Sequence, residues 1–140
     1  MQIKRHSTAI WSGTGKEGNG TLSSQSGVLS ATQFGAKSRF EDGIGTNPEE
    51  LIAAAHAGCF SMKLAFNLQG ASFEAKEIHT TCEIVFEEGT IIASNLTLKA
   101  KVEVISAEKF EELVNDAKSN CPISKLLNTK ISLTYTLNEA

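Results

Sequence analysis

The sequence predicts an α+β protein in which antiparallel sheets wrap around one long central apolar helix. Three observations lead there. Alternating apolar segments come in neighbouring runs, which favours hairpins. Between two such groups, Pro48 to about Gly70 is apolar nearly all round, so it needs cover on most sides. The 140 residues, 41% hydrophobic and 21% charged, fit a single domain, residues 1–140, with one sizeable core.

In chain order, Ile3 to Trp11 reads as a strand, and Gly13 to Gly20 as the tip of a hairpin. Thr21–Ser26 and Val28–Thr32 continue extended, with Gly27 as a bend. Gly35 to Thr46 reads as a polar loop carrying Lys37, Arg39, Glu41 and Asp42. The long helix then has a strong start signal. Asn47 caps, Pro48 suits the first helical position, and Glu50 falls where a capping box needs it. Glu77 to Glu87 alternates with Ile78, Thr80, Cys82, Ile84 and Phe86 on one face. A turn at Glu87–Thr90 leads to a strand from Ile91 to Val104, with Leu96, Leu98, Ala100, Val102 and Val104 on one side. Ser106 caps a helix over Ala107–Lys118, and Cys121-Pro122 restarts a short helix to about Leu127. Ile131 to Leu137 closes the chain as a strand.

Composition removes several function classes. A net charge of -3 with no basic face argues against nucleic acid. No run reaches about 18 uncharged apolar residues, so no membrane span is expected. The segment Met1–His6 leads into alternation and not into a secretory apolar run, so a cytoplasmic protein is expected. Three cysteines is an odd number, which disfavours a disulfide framework, and a cytoplasmic disulfide is expected to be transient. His6, His56 and His79 have no metal-ligand spacing, and there is no Cys-x-x-Cys, so no metal or cofactor is expected. The Gly13–Gly20 loop lacks the Gly-Lys-Ser/Thr ending of a phosphate loop.

The cysteines hold the chemical interest. Cys121 precedes Pro122, which pushes it out of the α region and suits an N-cap. Free N–H groups and the helix dipole favour a thiolate there, although by position alone a small buried residue at a helix start is the commoner explanation. Cys59 lies inside the apolar helix, where burial makes a thiol inert unless a cation or donor reaches it. His56, Lys63 and Arg39 are the nearby candidates, and His56 also reads simply as a satisfied core histidine. Glu49 is ten residues before Cys59, about 15 Å of helical rise and about 80° of rotation. It serves the helix dipole in the first turn, or it reaches a thiol site from a second subunit. Cys82, on the face of Ile84 and Phe86, reads as a buried spare thiol.

Two motifs resemble a known family. The run from Gly45 through Asn47-Pro48-Glu49-Glu50 and His56-Ala57-Gly58-Cys59 to Met62 is similar to the signature of the OsmC/Ohr peroxidases. So is Cys121-Pro122-Ile123-Ser124-Lys125-Leu126-Leu127. His56 and the segment from Phe34 to Asp42 resemble the OsmC branch, and element order and length match over essentially the whole chain. The resemblance implies an intertwined α+β homodimer with active sites at the subunit interface. It implies a thiol-dependent peroxidase in stress defence, acting on organic hydroperoxides and more weakly on hydrogen peroxide. It makes Cys59 the peroxidatic cysteine, Cys121 the resolving one, Arg39 the guanidinium beside the thiolate and Glu49 its carboxylate partner. A lipoyl-type dithiol would be the reductant, and Cys82 is outside the motif. Two rival readings remain at this point. One is a cysteine-nucleophile acyl transferase or hydrolase using Cys59 and His56, and the other is a non-catalytic dimeric ligand-binding stress protein.

Overall fold

The computed structural model describes residues 1–41 and 43–139, so Asp42 of the charged loop lies outside the described residues. The chain forms two compact units, Met1–Leu51 and Ile52–Ala140.

The first unit is a three-stranded antiparallel sheet, β1 (Ser7–Ser12), β2 (Asn19–Ser24) and β3 (Thr32–Phe34), followed by a short helix α1 (Ala36–Phe40). The first strand begins four residues later than Ile3. The extended stretch expected over Val28–Thr32 is largely turn, closed by the Ser24 N–H donating to the Leu29 carbonyl at 2.8 Å. Gly20 passes between the Trp11 and Phe34 rings, where a Cβ would come within 2.5 Å of Phe34. The Gly35–Thr46 segment is not the simple loop that was expected, because α1 occupies part of it. A five-residue helix is too short to show a period. It is held instead by Glu41 N–H donating to the Lys37 carbonyl at 2.8 Å and by the Asn47 amide donating to the Ser38 carbonyl at 2.7 Å.

Helix α2 (Pro48–Gly70) starts in this unit and continues without interruption into the second. Asn47 Oδ1 accepts from the Glu50 N–H at 2.8 Å, as the cap signal predicts. The capping box is incomplete, because the Glu50 carboxylate accepts from the Thr46 hydroxyl at 2.6 Å. The expectation of burial on most sides is not met within one chain. His56, Phe60, Leu64 and Leu68 form a fully buried stripe, whereas Met62 and Phe66 are 64% and 63% exposed. By length and composition alone α2 is apolar enough to cross a membrane, a test that a core helix passes as well.

The second unit adds β4 (Ala75–Glu87), β5 (Thr90–Val102), α3 (Ala107–Asn120), α4 (Pro122–Leu126) and β6 (Lys130–Leu137). Strands β4 and β5 form an antiparallel hairpin through Glu88 and Gly89, both at positive φ, the backbone that matches strand twist in a two-residue turn. Strand β6 pairs with β5 in parallel, against the expectation of antiparallel pairing throughout. Two helices lie between these strands, and a crossover of that length returns the chain to the same end of the sheet. Strand β5 is central. Ser94, Leu96, Leu98, Ala100 and Val102 point inward at period two and meet Phe60, Leu64 and Leu68 of α2 and Phe110, Val114 and Ala117 of α3. The strand stops at Val102 and does not reach Val104, which is 95% exposed at φ 65°. The Asn138 side chain ends the ladder there, accepting from the Val102 N–H and donating to its carbonyl, both at 2.8 Å.

Candidate active site

Helix α4 is the hinge of the site. Cys121 is its N-cap with φ -64° and ψ 142°, and Pro122 follows at the first helical position, as Cys-Pro predicts. The Cys121 sulfur accepts from the Ser124 N–H at 3.4 Å and contacts the Ser124 hydroxyl at 3.0 Å. Cys121 is completely buried in the core between α3 and α4.

Cys59, on α2, is half-buried and packs against this core. Its thiol lies within electrostatic reach of Cys121 and of the Ile123 N–H, in the second residue of α4. Burial pushes the Cys59 thiol up, the Ile123 N–H pulls it down, and Cys121 pushes it further up; the outcome is a raised pKa. Burial thus has the larger effect on Cys59 within this unit, and the helix-end N–H only moderates it. The structure brings Cys59 and Cys121 together, with all three cysteines free thiols.

In the first unit Arg39 and Glu49 form an ion pair. Arg39 Nε and Nη2 both donate to Glu49 Oε1, at 2.8 and 2.6 Å. The guanidinium also lies 5.9 Å from the Phe40 ring centre. Burial pushes the Glu49 carboxyl up, but the Arg39 hydrogen bond and charge hold it below the usual range. Its other oxygen, Oε2, is buried and has no hydrogen-bond partner among the described residues. The Arg39–Glu49 contact implied by the resemblance is therefore present.

Lys63 is committed elsewhere, 3.7 Å from Asp116. His56 is buried, with Nδ1 2.6 Å from the Ser94 hydroxyl and Nε2 2.8 Å from the Ser124 hydroxyl. Both ring nitrogens are thus occupied, which leaves neither to activate Cys59 in the acyl-transfer reading. Cys82 is not a spare thiol in isolation, since its sulfur is 3.2 Å from Ser94 Oγ and 3.9 Å from His56 Nδ1. Sequence reasoning assigned no role to Ser94, Ser124 or the Ile123 N–H. Ser94 did leave a signal, as the polar residue on the otherwise apolar inward face of β5. Among the described residues no cluster of three or more His, Cys, Asp or Glu could hold a metal ion.

Comparison with known proteins identifies the family. A family model described as OsmC-like protein matches residues 40–136. The chain is 41% identical to Peroxiredoxin OsmC of Escherichia coli (strain K12), covering 98% of this chain and 99% of that protein. It is 30% identical to the organic hydroperoxide resistance protein OhrB of Bacillus subtilis (strain 168), over 84% of this chain and 88% of that one. The crystal structure of OhrB of Bacillus subtilis superposes with a TM-score of 0.63 at 27% identity, covering 95% of this chain and 98% of that one. An OsmC-like protein from Mycoplasma pneumoniae superposes with a TM-score of 0.75 over 99% of this chain and 100% of that one; at 15% identity that likeness is one of fold. The chain belongs to the OsmC family.

Proposed function

We propose that this protein is a thiol-dependent peroxidase that reduces organic hydroperoxides, and more weakly hydrogen peroxide, to alcohols or water. The observation that carries the reading is the Cys59 thiol set against Cys121 and the Ile123 N–H at the start of α4. The near full-length likeness to a protein named Peroxiredoxin OsmC supports it.

The Cys59 thiolate attacks one peroxide oxygen, the O–O bond breaks, and the alkoxide leaves to be protonated to the alcohol. Cys59 is left as a sulfenic acid. The Arg39 guanidinium, oriented by Glu49, stabilises the thiolate and the developing alkoxide. Cys121 then displaces the sulfenic hydroxyl as water and forms the Cys59–Cys121 disulfide. An external dithiol of the lipoyl type reduces it back to two thiols and leaves as its own disulfide.

The functional unit in this reading is a homodimer of the single domain 1–140, working in the cytoplasm in defence against oxidative and osmotic stress. The exposed apolar face of α2, with Met62 and Phe66, supports a second copy as its cover. Each copy would present its Arg39–Glu49 pair to a Cys59. The direct test is tert-butyl hydroperoxide consumption with dihydrolipoate, with mass mapping of the oxidised protein. Turnover with a Cys59–Cys121 link is expected. A link through Cys82 sinks the mechanism, and no turnover with any dithiol favours a binding protein.

A further inference from the structure

His56 is fully buried at the centre of a hydrogen-bonded chain that the reaction above does not use. The chain runs from Cys121 Sγ to Ser124 Oγ at 3.0 Å, on to His56 Nε2 at 2.8 Å, from His56 Nδ1 to Ser94 Oγ at 2.6 Å, and to Cys82 Sγ at 3.2 Å. It joins four elements, α4, α2, β5 and β4. Burying a histidine is costly unless both nitrogens are paired, and here one pair points directly at the resolving thiol. Cys121 is itself fully buried, so bulk water is not at hand to take its proton.

We propose that Ser124 and His56 relay the thiol proton away from Cys121 as it attacks the Cys59 sulfenic acid, with His56 the positioning residue behind the Ser124 hydroxyl. The inference rests on Cys121 being the resolving thiol. In the step, Cys121 S–H gives its proton to Ser124 Oγ while the Ser124 hydroxyl gives its own to His56 Nε2. The Cys121 sulfur electron pair forms the bond to Cys59 Sγ, and the Cys59 S–O bond breaks. The hydroxide leaving Cys59 takes the Ser124 hydroxyl proton, the His56 imidazolium restores that proton to Ser124 Oγ, and the hydroxide departs as water. The net change is Cys59–SOH plus Cys121–SH to disulfide plus water, so no outside oxidant or reductant enters.

Ser94 and Cys82 set the direction of the chain. If Nε2 is to accept, Nδ1–H must donate to Ser94 Oγ, and the Ser94 hydroxyl then donates to Cys82. Among the described residues, the titratable groups bonded to His56 directly or through Ser124 are Cys82 from β4 and Cys121 ahead of α4; β5 and α4 themselves present neutral hydroxyls. Burial first, and then the Glu83 charge, push the Cys82 thiol up, which favours Cys82 as the protonated end of the chain. Burial holds the His56 imidazole below its usual range, so the imidazolium would exist only in passing, as a relay requires.

The test is rapid mixing of the reduced protein with tert-butyl hydroperoxide without reductant, reading disulfide formation between pH 6 and 8. Ser124→Ala is expected to slow that step about tenfold or more at pH 7. It should also make the rate climb with pH, because the thiol must then ionise to solvent. Ser124→Thr, which restores the hydroxyl, should recover most of the rate and the original profile. A Ser124→Ala protein with wild-type rate and profile overturns the relay. So does a linear proton inventory for disulfide formation by the unaltered protein in H2O–D2O mixtures, a measurement independent of any variant's folding; two protons in flight give a bowed one. Mass mapping of the same samples separates the two failures. A wild-type link other than Cys59–Cys121 removes the resolving role itself, whereas that link forming at an unaltered rate in Ser124→Ala removes only the relay.

Discussion

In the first unit, Met1–Leu51, all six residues of β1 are exposed and no apolar side chain is buried among the described residues. In the second, Ile52–Ala140, eleven apolar side chains, Cys121 among them, are buried around α2, β5 and α3. The residues of the candidate site divide along the same line. The thiols, His56, Ser94 and Ser124 stand on packed elements, where rotamers are locked by neighbours. Arg39 and Glu49 are held by local polar contacts, their own ion pair together with the Asn47–Ser38 and Thr46–Glu50 bonds. The difference teaches which task each can perform. Sulfur–sulfur chemistry needs fixed sulfur positions, which a core supplies. A guanidinium that offsets charge can tolerate a looser mount.

The largest effect tests the core side of this comparison. Cys59→Ser should abolish hydroperoxide turnover to background. Cys121→Ser should still reduce about one equivalent of hydroperoxide per site and then stop with dihydrolipoate, because the sulfenic acid has no internal partner. Sustained turnover by Cys121→Ser would make this a one-cysteine enzyme and leave the α4 arrangement merely structural.

The next effect tests the looser side. Glu49→Gln removes the charge that orients Arg39 and should lower kcat/KM by about 10²–10³, the scale of losing one stabilising group at a developing anion. Stability should change far less, since Arg39 is 36% exposed and such pairs contribute about 0–1 kcal/mol. If the pair serves the other copy's thiol, mixing inactive Glu49→Gln and Cys59→Ser chains should restore part of the activity in heterodimers. No recovery would return the pair to its own chain.

The reverse ordering holds for stability. Leu96→Ala, at a fully packed position of β5, should cost about 2–5 kcal/mol in denaturant unfolding. Trp11→Ala in the first unit loses one ring pair, with centroids 5.4 Å apart from Phe34, and should cost about 1 kcal/mol. A Trp11 loss as large as that of Leu96, especially one that varies with protein concentration, would mean that the first sheet gains its cover from a second copy.

The sequence showed the second unit better than the first, for physical reasons. Period-two alternation survives wherever one face meets a core, so β4 and β5 were legible to within two residues at each end, and the Cys-Pro cap of α4 was legible from proline sterics alone. In the first unit β1 has no buried face to enforce alternation, and α1 is too short to have a period. The parallel pairing of β6 depends on where two helices return the chain, which no local pattern states. Of the candidate site, Cys121 was singled out by cap chemistry, and Cys59, Arg39 and Glu49 by the resemblance of their motif. The chain through Ser94, His56 and Ser124 was not, because its members lie 38 and 68 residues apart. Only the fold brings them together.

The smallest effect separates the two units by pH. An unfolded histidine binds a proton near pH 6.5, but burial holds folded His56 below that. Protonation therefore favours the unfolded chain, and stability should be full above about pH 6.5 and fall as the pH drops toward the lowered folded value. Glu49 shifts in the same direction in a different window. Its folded pKa lies below the unfolded carboxylate value of about 4.3, so its contribution persists above that and is lost as pH falls through the folded value. Cys59 moves the opposite way. Its raised pKa contributes stability below about pH 8.5 that is lost as pH rises toward the folded value. One group gives a slope no steeper than about 1.4 kcal/mol per pH unit, so these are modest effects, read from denaturant midpoints across pH 3 to 9. His56→Gln should flatten the loss that begins below about pH 6.5 and leave the lower limb. Glu49→Gln should flatten only the limb below about pH 4.3. If His56→Gln keeps the upper acid slope, some other group carries it, and the buried histidine costs the packed unit less than its complete burial implies.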